Sequence, residues 1–252
     1  MSLSIDLNCD MGESFGPWVM GHDEQVIPWV TSVNIACGFH AGDPGTMRQT
    51  VALALKHGVK LGAHPGLPDL AGFGRRVMAV TPEQVYDMVV VQVGALAAVA
   101  RTQGAALHHV KAHGALYNMA ARDAALAKAI AQAVADIDRS LILYALAGSV
   151  QVQAGRDAGL AVAQEVFADR SYQDDGSLTP RQQAGAMITD ADQSVQQVMQ
   201  MIEQGTVTSL SGKTVPLSAD TLCLHGDQAG AAEFAQRLHQ AFEQSGVRVL
   251  AV

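Results

Sequence analysis

Four short stretches join a histidine to glycine: Phe39-His40-Ala41-Gly42, Ala63-His64-Pro65-Gly66, Ala112-His113-Gly114 and His225-Gly226-Asp227. Imidazole serves as acid, base or metal ligand near neutral pH, and glycine lets the backbone approach a ligand closely. The stretch Asp6-Leu7-Asn8-Cys9-Asp10-Met11-Gly12-Glu13 adds three carboxylates and an amide, and Lys111 adds an ammonium two residues before His113. These groups suit general acid/base work, in which Asp10, His40, His64 or His113 activates water and Lys111 polarises a carbonyl. They also suit an open metal centre built from His40, His64, His113 and His225 with Asp10. No HxH or HExxH pair supplies ligands locally, so any ligands must converge from separate strands, and the need for a divalent metal stays open. Cys37, three residues before His40, is a candidate nucleophile. Its place at the end of an apolar run favours a buried, inert thiol instead.

Such scattered groups meet only if the elements carrying them end on one side. Short apolar runs at Ser4–Cys9, Ser32–Cys37, Val59–Ala63, Leu107–Lys111, Leu141–Leu146, Ala161–Val166, Thr221–Leu224 and Val247–Val252 read as strands. Between them, helical segments are expected at Gly45–His57, Pro82–Gln103, Arg122–Ile137, Ser149–Ala158, Asp190–Gln204 and Gln228–Ser245. Thr81-Pro82-Glu83-Gln84 has the composition of a capping box with proline at the first helical position. Alternation of this kind implies parallel strands joined by right-handed crossovers. The length suits a (β/α) barrel forming one domain over residues 1–252, with a doubly wound open sheet as the rival. The unusual polar residues fall at strand C-termini, where such a barrel binds its ligands: Asp10 and Glu13, Asn34 and His40, His64, Lys111 and His113, Glu165, Arg170 and Tyr172, then His225 and Asp227. Period two puts Asp6, Asn8 and Asp10 on one face of the first strand, lining the interior, with Ile5, Leu7 and Cys9 on the other.

Of 252 residues, 49% are hydrophobic and 16% charged, with a formal net charge of -8. No basic block stands out, which argues against nucleic acid as a partner. The N-terminus lacks a basic leader, and the apolar run Met88–Ala100, broken by Gln92, is too short to span a bilayer. Three widely spaced cysteines without a CxxC pair fit a reducing, cytoplasmic setting. Ser211-Gly212-Lys213-Thr214 has the tail of a phosphate-binding loop, but Val207 stands where its first glycine belongs. The stretch Thr206–Leu217 reads instead as a polar hairpin or a loop excursion.

Taken together, Asp6 to Glu13, Asn34-Ile35-Ala36-Cys37-Gly38-Phe39-His40-Ala41-Gly42-Asp43, Gly62-Ala63-His64-Pro65-Gly66, Lys111-Ala112-His113-Gly114-Ala115-Leu116-Tyr117, Glu165-Val166-Phe167-Ala168-Asp169-Arg170 with Tyr172, and His225-Gly226-Asp227 resemble the A-subunit family of 5-oxoprolinase, once called lactam-utilisation proteins. The resemblance implies an irregular seven-stranded barrel like those of glycoside hydrolases and deacetylases, with Val247–Val252 outside it. It also implies ATP-dependent opening of 5-oxo-L-proline to L-glutamate with two further subunits, ATP binding on, or shared with, a partner. On this reading Asp10 or His64 activates water, His113 or Lys111 stabilises the oxyanion, and His40 joins them in the catalytic set. Asp6, Asn8, Glu13, Asn34, Glu165, Arg170, Tyr172, His225 and Asp227 are the expected substrate-binding set, with Arg170 on the substrate carboxylate. Two other readings compete: a stand-alone metal-dependent amidohydrolase or sugar deacetylase, and a non-catalytic lactam-binding subunit.

Overall fold

A computed structural model describes residues 3–225 and 230–252, the side chain of His225 excepted. Its strands are β1 (Ser4–Met11), β2 (Ser32–Ala36), β3 (Lys60–His64), β4 (His109–Lys111), β5 (Ile142–Leu146), β6 (Ala161–Phe167), β7 (Thr206–Thr208), β8 (Thr214–Pro216), β9 (Thr221–His225) and β10 (Arg248–Val249). Strands β1 to β6 and then β9 follow one another around the sheet, all parallel. Pairing of β9 back onto β1 closes them into a seven-stranded barrel, with Asp10 opposite both Asn34 and His225. Closure rules out the open doubly wound sheet. Strand β10 runs beside Ser4 and Ile5 at the start of β1, outside the barrel. Strands β7 and β8 form the antiparallel hairpin expected at Thr206–Leu217, and Ser211-Gly212-Lys213 is its turn.

The helices are α1 (Asp23–Val26), α2 (Pro44–His57), α3 (Pro82–Thr102), α4 (Gly114–Ala120), α5 (Ala124–Ile137), α6 (Val150–Asp157), α7 (Ala191–Gln204) and α8 (Ala231–Ser245). Asp43 caps α2 by accepting the Thr46 N–H, and Gly58 ends it in the left-handed conformation. Thr81 and Gln84 form the reciprocal capping box at the start of α3. At 21 residues α3 is longer than its apolar run, and by length and composition alone it could cross a membrane. Instead it lies against α5, α2 and β3, burying Val85, Val89, Val93, Leu96 and Ala100 and leaving Glu83 and Asp87 in solvent. Burying such a stripe stabilises by about 25 cal/mol per Å² of apolar surface removed from water.

The segment expected as one helix over Arg122–Ile137 starts later, and a separate helix precedes it. Helix α4 begins directly after β4, and Asp123 then caps α5 through the Ala125 and Leu126 N–H groups. The sequence hides α4 because its glycine start and tyrosine-asparagine interior carry a weak helical signal.

Candidate active site

Polar side chains fill the barrel in layers set by the period of the strands. At the bottom, Asp6 is fully buried and accepts hydrogen bonds from Thr31 (2.6 Å), Ser32 (2.8 Å), Tyr144 (3.0 Å) and Thr221 (2.5 Å). Four hydroxyl donors compensate the desolvation of this buried carboxyl. Above it, Asn8 donates to Glu165 Oε1 (3.0 Å) and Thr221 (2.7 Å). Asn34 Nδ2 donates to Asn8 Oδ1 and to Asp10 Oδ1, and its own Oδ1 receives His109 Nε2 at 2.7 Å. The His109 ring stacks on Tyr144 with centroids 4.0 Å apart. Gly62 on β3 faces that ring, and any Cβ there would overlap it.

Lys111 joins this layer to the one above. Its Nζ reaches Glu165 Oε1 at 2.7 Å, Asp10 Oδ1 at 2.9 Å, Asn8 Oδ1 at 3.1 Å and Cys223 Sγ at 3.1 Å. Burial alone pulls an ammonium's pKa down, but the Asp10 and Glu165 carboxylates outweigh it and hold Lys111 well above the usual lysine value. The top layer is Asp10, His64, His113, Glu13 and His40. Asp10 Oδ2 lies 3.2 Å from His64 Nε2. His64 Nδ1 donates to the Lys111 carbonyl at 2.8 Å, and His113 Nε2 donates to the Phe73 carbonyl at 2.8 Å. His40 stacks on His113 at 3.7 Å, the rings 4° from parallel. Burial, then the neighbouring imidazoles, keep His40 well below the ordinary histidine value. Burial, then His64, bring His113 down to about 3. Gly74, at φ +62°, lets its loop lie on both rings, because a Cβ there would sit 2.7 Å from His40 Cβ.

This top layer opens into a cavity of about 590 Å³ lined by Asp10, His64, Lys111, His113, Phe167 and four arginines, Arg75, Arg122, Arg170 and Arg181. A chain of net charge -8 thus gathers guanidinium groups at one mouth. Arg170 is 5% exposed; its Nη2 donates to the Thr179 carbonyl while Nε has no partner among the described residues. Burial, then Arg181, lower its pKa to about 10.

Asp10, His64, Lys111 and His113 therefore meet at the cavity, with His40 and Glu13 behind them. Asp6, Asn8, Asn34 and Glu165, expected to bind substrate, are fully buried and are not among the residues lining the cavity; their hydrogen bonds lead up to Asp10 and Lys111. Tyr172 is likewise fully buried, and its hydroxyl accepts the Phe167 N–H at 2.9 Å, pinning the loop after β6. His225 ends β9 opposite Asp10, but its side chain and Asp227 lie outside the described residues. Cys37 is buried, and desolvation pushes its pKa up to about 12, the environment of an inert thiol.

Sequence reasoning misses His109, Tyr144, Thr31, Thr221 and the loop arginines Arg75 and Arg181. The strand period holds a signal for one of them, since His109 and Lys111 share a face of β4. Gln92, in sequence only a break in an apolar run, has a structural task. Its amide clamps Gly66, accepting the N–H and donating to the C=O at 2.9 Å each, and so fixes the loop carrying His64.

A parallel barrel whose strand C-termini converge on buried imidazoles, a lysine and carboxylates belongs to the class of (β/α)-barrel proteins with a rim-borne polar site. The chain belongs to the LamB/YcsF family, whose model matches residues 5–252. It is 65% identical over 251 residues to the A subunit of 5-oxoprolinase from Bordetella parapertussis, covering 100% of both chains. Among solved structures it is similar to the lactam utilization protein of Thermus thermophilus, at TM-score 0.93 and 48% identity, covering 99% of this chain and 100% of that one. A putative cellobiose-phosphate cleavage protein from Enterococcus faecalis, at TM-score 0.60 and 15% identity over 100% of this chain and 98% of that one, shares the fold alone.

Proposed function

We propose that this chain is the subunit of an ATP-dependent 5-oxoprolinase on which the lactam ring of 5-oxo-L-proline is opened to L-glutamate. The observation that carries the reading is Asp10: Lys111 and Asn34 hold one oxygen, and the other faces His64 at the floor of an arginine-mouthed cavity. The names borne by relatives spanning the whole chain support it. A five-membered lactam re-forms intramolecularly, where effective molarities reach about 10⁵ M or more, so plain hydrolysis has little driving force and coupling to ATP supplies it.

The residues here do not fit a phosphate loop. Ser211-Gly212-Lys213-Thr214 is a hairpin turn between two short antiparallel strands, not a strand-to-helix cradle. On this reading the nucleotide sits on, or at an interface shared with, one of two partner subunits, and the lactam reaches this site activated by phosphorylation at its carbonyl oxygen. Arg75, Arg122 and Arg181 suit the phosphoryl group, and Arg170 the substrate carboxylate. Asp10 Oδ2 takes the proton of a water that adds to C5. Asp10 returns that proton to the ring nitrogen; as the C5–N bond breaks, the new C5 hydroxyl gives up its proton to the leaving amine, and the acyl phosphate so formed is hydrolysed by a second water to glutamate and phosphate. Lys111 and Asn34 keep Asp10 aimed throughout.

The test is an assay of 5-oxo-L-proline and ATP with this chain alone, with the partner subunits alone, and with all together. Glutamate forming only in the complete mixture is expected; equal formation without this chain would overturn the assignment.

A further inference from the structure

Two imidazole nitrogens in the top layer face each other in a way neutral histidines cannot satisfy. A carbonyl oxygen only accepts, so His64 carries its proton on Nδ1, toward Lys111 O, and His113 carries its proton on Nε2, toward Phe73 O. With both rings neutral, that leaves His64 Nε2 and His113 Nδ1 as lone pairs directed at one another across 2.9 Å. The Asp10 Oδ2 atom, a third acceptor, is 3.2 Å from the same His64 nitrogen. Glu13 Oε1 stands 4.0 Å from His113 Nδ1. One ligand atom each from Glu13, His40, His64 and His113 falls within a 4.8 Å span. Acceptors converging in this way are what a cation would reconcile.

We propose that His64 Nε2, His113 Nδ1 and Glu13 bind one divalent transition-metal ion at the floor of the cavity, with Asp10 beside it. With metal–nitrogen bonds of about 2.0–2.1 Å, the 2.9 Å separation corresponds to an angle near 90° at the metal, about that of a five- or six-coordinate site. The supporting contacts are already built, because each histidine donates its other ring N–H to a backbone carbonyl, the arrangement that fixes the tautomer of a ligating imidazole. Two nitrogens with carboxylate oxygen favour zinc, cobalt, nickel or manganese over magnesium or calcium. His40 stacks face to face on His113, so its two nitrogens lie beside this group, one of them within the same 4.8 Å span. Both of those nitrogens are buried and without a partner among the described residues, as for a ring kept ready for water on the metal. This goes beyond the lactam reading and stands or falls separately from it.

The experiment uses the full chain, stripped with a chelator and shown folded by circular dichroism, titrated with Zn²⁺ by calorimetry and with Co²⁺ by visible absorption. One ion per chain is expected, with Co²⁺ d–d bands and a rise in melting temperature. His64→Asn and His113→Asn should each weaken binding by at least about 100-fold, whereas His57→Ala, on the exposed end of α2, should not. Absence of heat and of d–d bands in the folded wild-type chain would overturn the site, leaving a proton shared between the two rings as the resolution of the contact. Unchanged binding in both asparagine variants would equally overturn it. Glutamate formation in the complete mixture is a separate readout that tests the lactam reading, not the ion.

Discussion

Replacing Lys111 with methionine keeps the volume of the side chain and removes only its charge and donors. The ammonium lies 2.7 Å from Glu165 and 2.9 Å from Asp10, and it also donates to Asn8 and Cys223. Because methionine is close in volume, the packing change should cost less than about 1.5 kcal/mol. The larger effect is electrostatic: two carboxylates lose the ammonium that bridges them, and leaving a buried charge uncompensated costs about 3–5 kcal/mol. Urea unfolding at pH 7 should therefore show Lys111→Met less stable by about that amount at an unchanged m-value. Adding Glu165→Gln removes one of the two charges, and the double variant should be more stable than the sum of the single effects. A Lys111→Met variant within about 1 kcal/mol of wild type at pH 7, with no coupling to Glu165, would refute this account of the barrel interior.

Burial, then His108, hold His109 well below the ordinary histidine value, so below about pH 6.5 the unfolded chain takes up a proton that the folded chain refuses. Stability should fall as pH is lowered through this range, by up to about 1.4 kcal/mol per pH unit from this residue, and denaturant melts of wild type and His109→Gln should differ in that slope. Gln92→Leu leaves the Gly66 N–H and C=O buried without their partners and should cost about 2–4 kcal/mol. If Gln92 is a positioning residue for His64, the same variant should lower kcat more than it raises KM, and Gln92→Glu should recover only the bond to the Gly66 N–H. Gly62→Ala drives a methyl into the His109 ring and should destabilise by several kcal/mol, read by thermal melting.

The barrel is legible because its evidence is local and repeated. Apolar runs of strand length, turn glycines and polar residues at one end of most strands recur along the chain, and period two alone puts Asp6, Asn8 and Asp10 on one face. Which inner residues reach the cavity is not legible, since depth depends on the stagger between strands. Asn34 opposite Asp10, and Ser32 opposite Asn8, set that stagger. Tyr172 shows the same limit: it sits beside Arg170 in sequence, yet its hydroxyl turns back to the Phe167 backbone. The loop arginines escape notice because Arg75 and Arg181 lie in stretches without periodicity, where only the closed fold brings them to one mouth. Gln92 escapes because a polar residue on a helix reads as a break until its partner in another loop is seen.

The central claim is that Asp10 carries out chemistry in the assembled enzyme. Asp10→Asn keeps the side-chain shape while removing the charge and the proton-accepting oxygen. Mixed with the partner subunits, 5-oxo-L-proline and ATP, the folded and assembling variant should form no glutamate, while wild type does. Glutamate formed by Asp10→Asn at the wild-type rate would contradict the account.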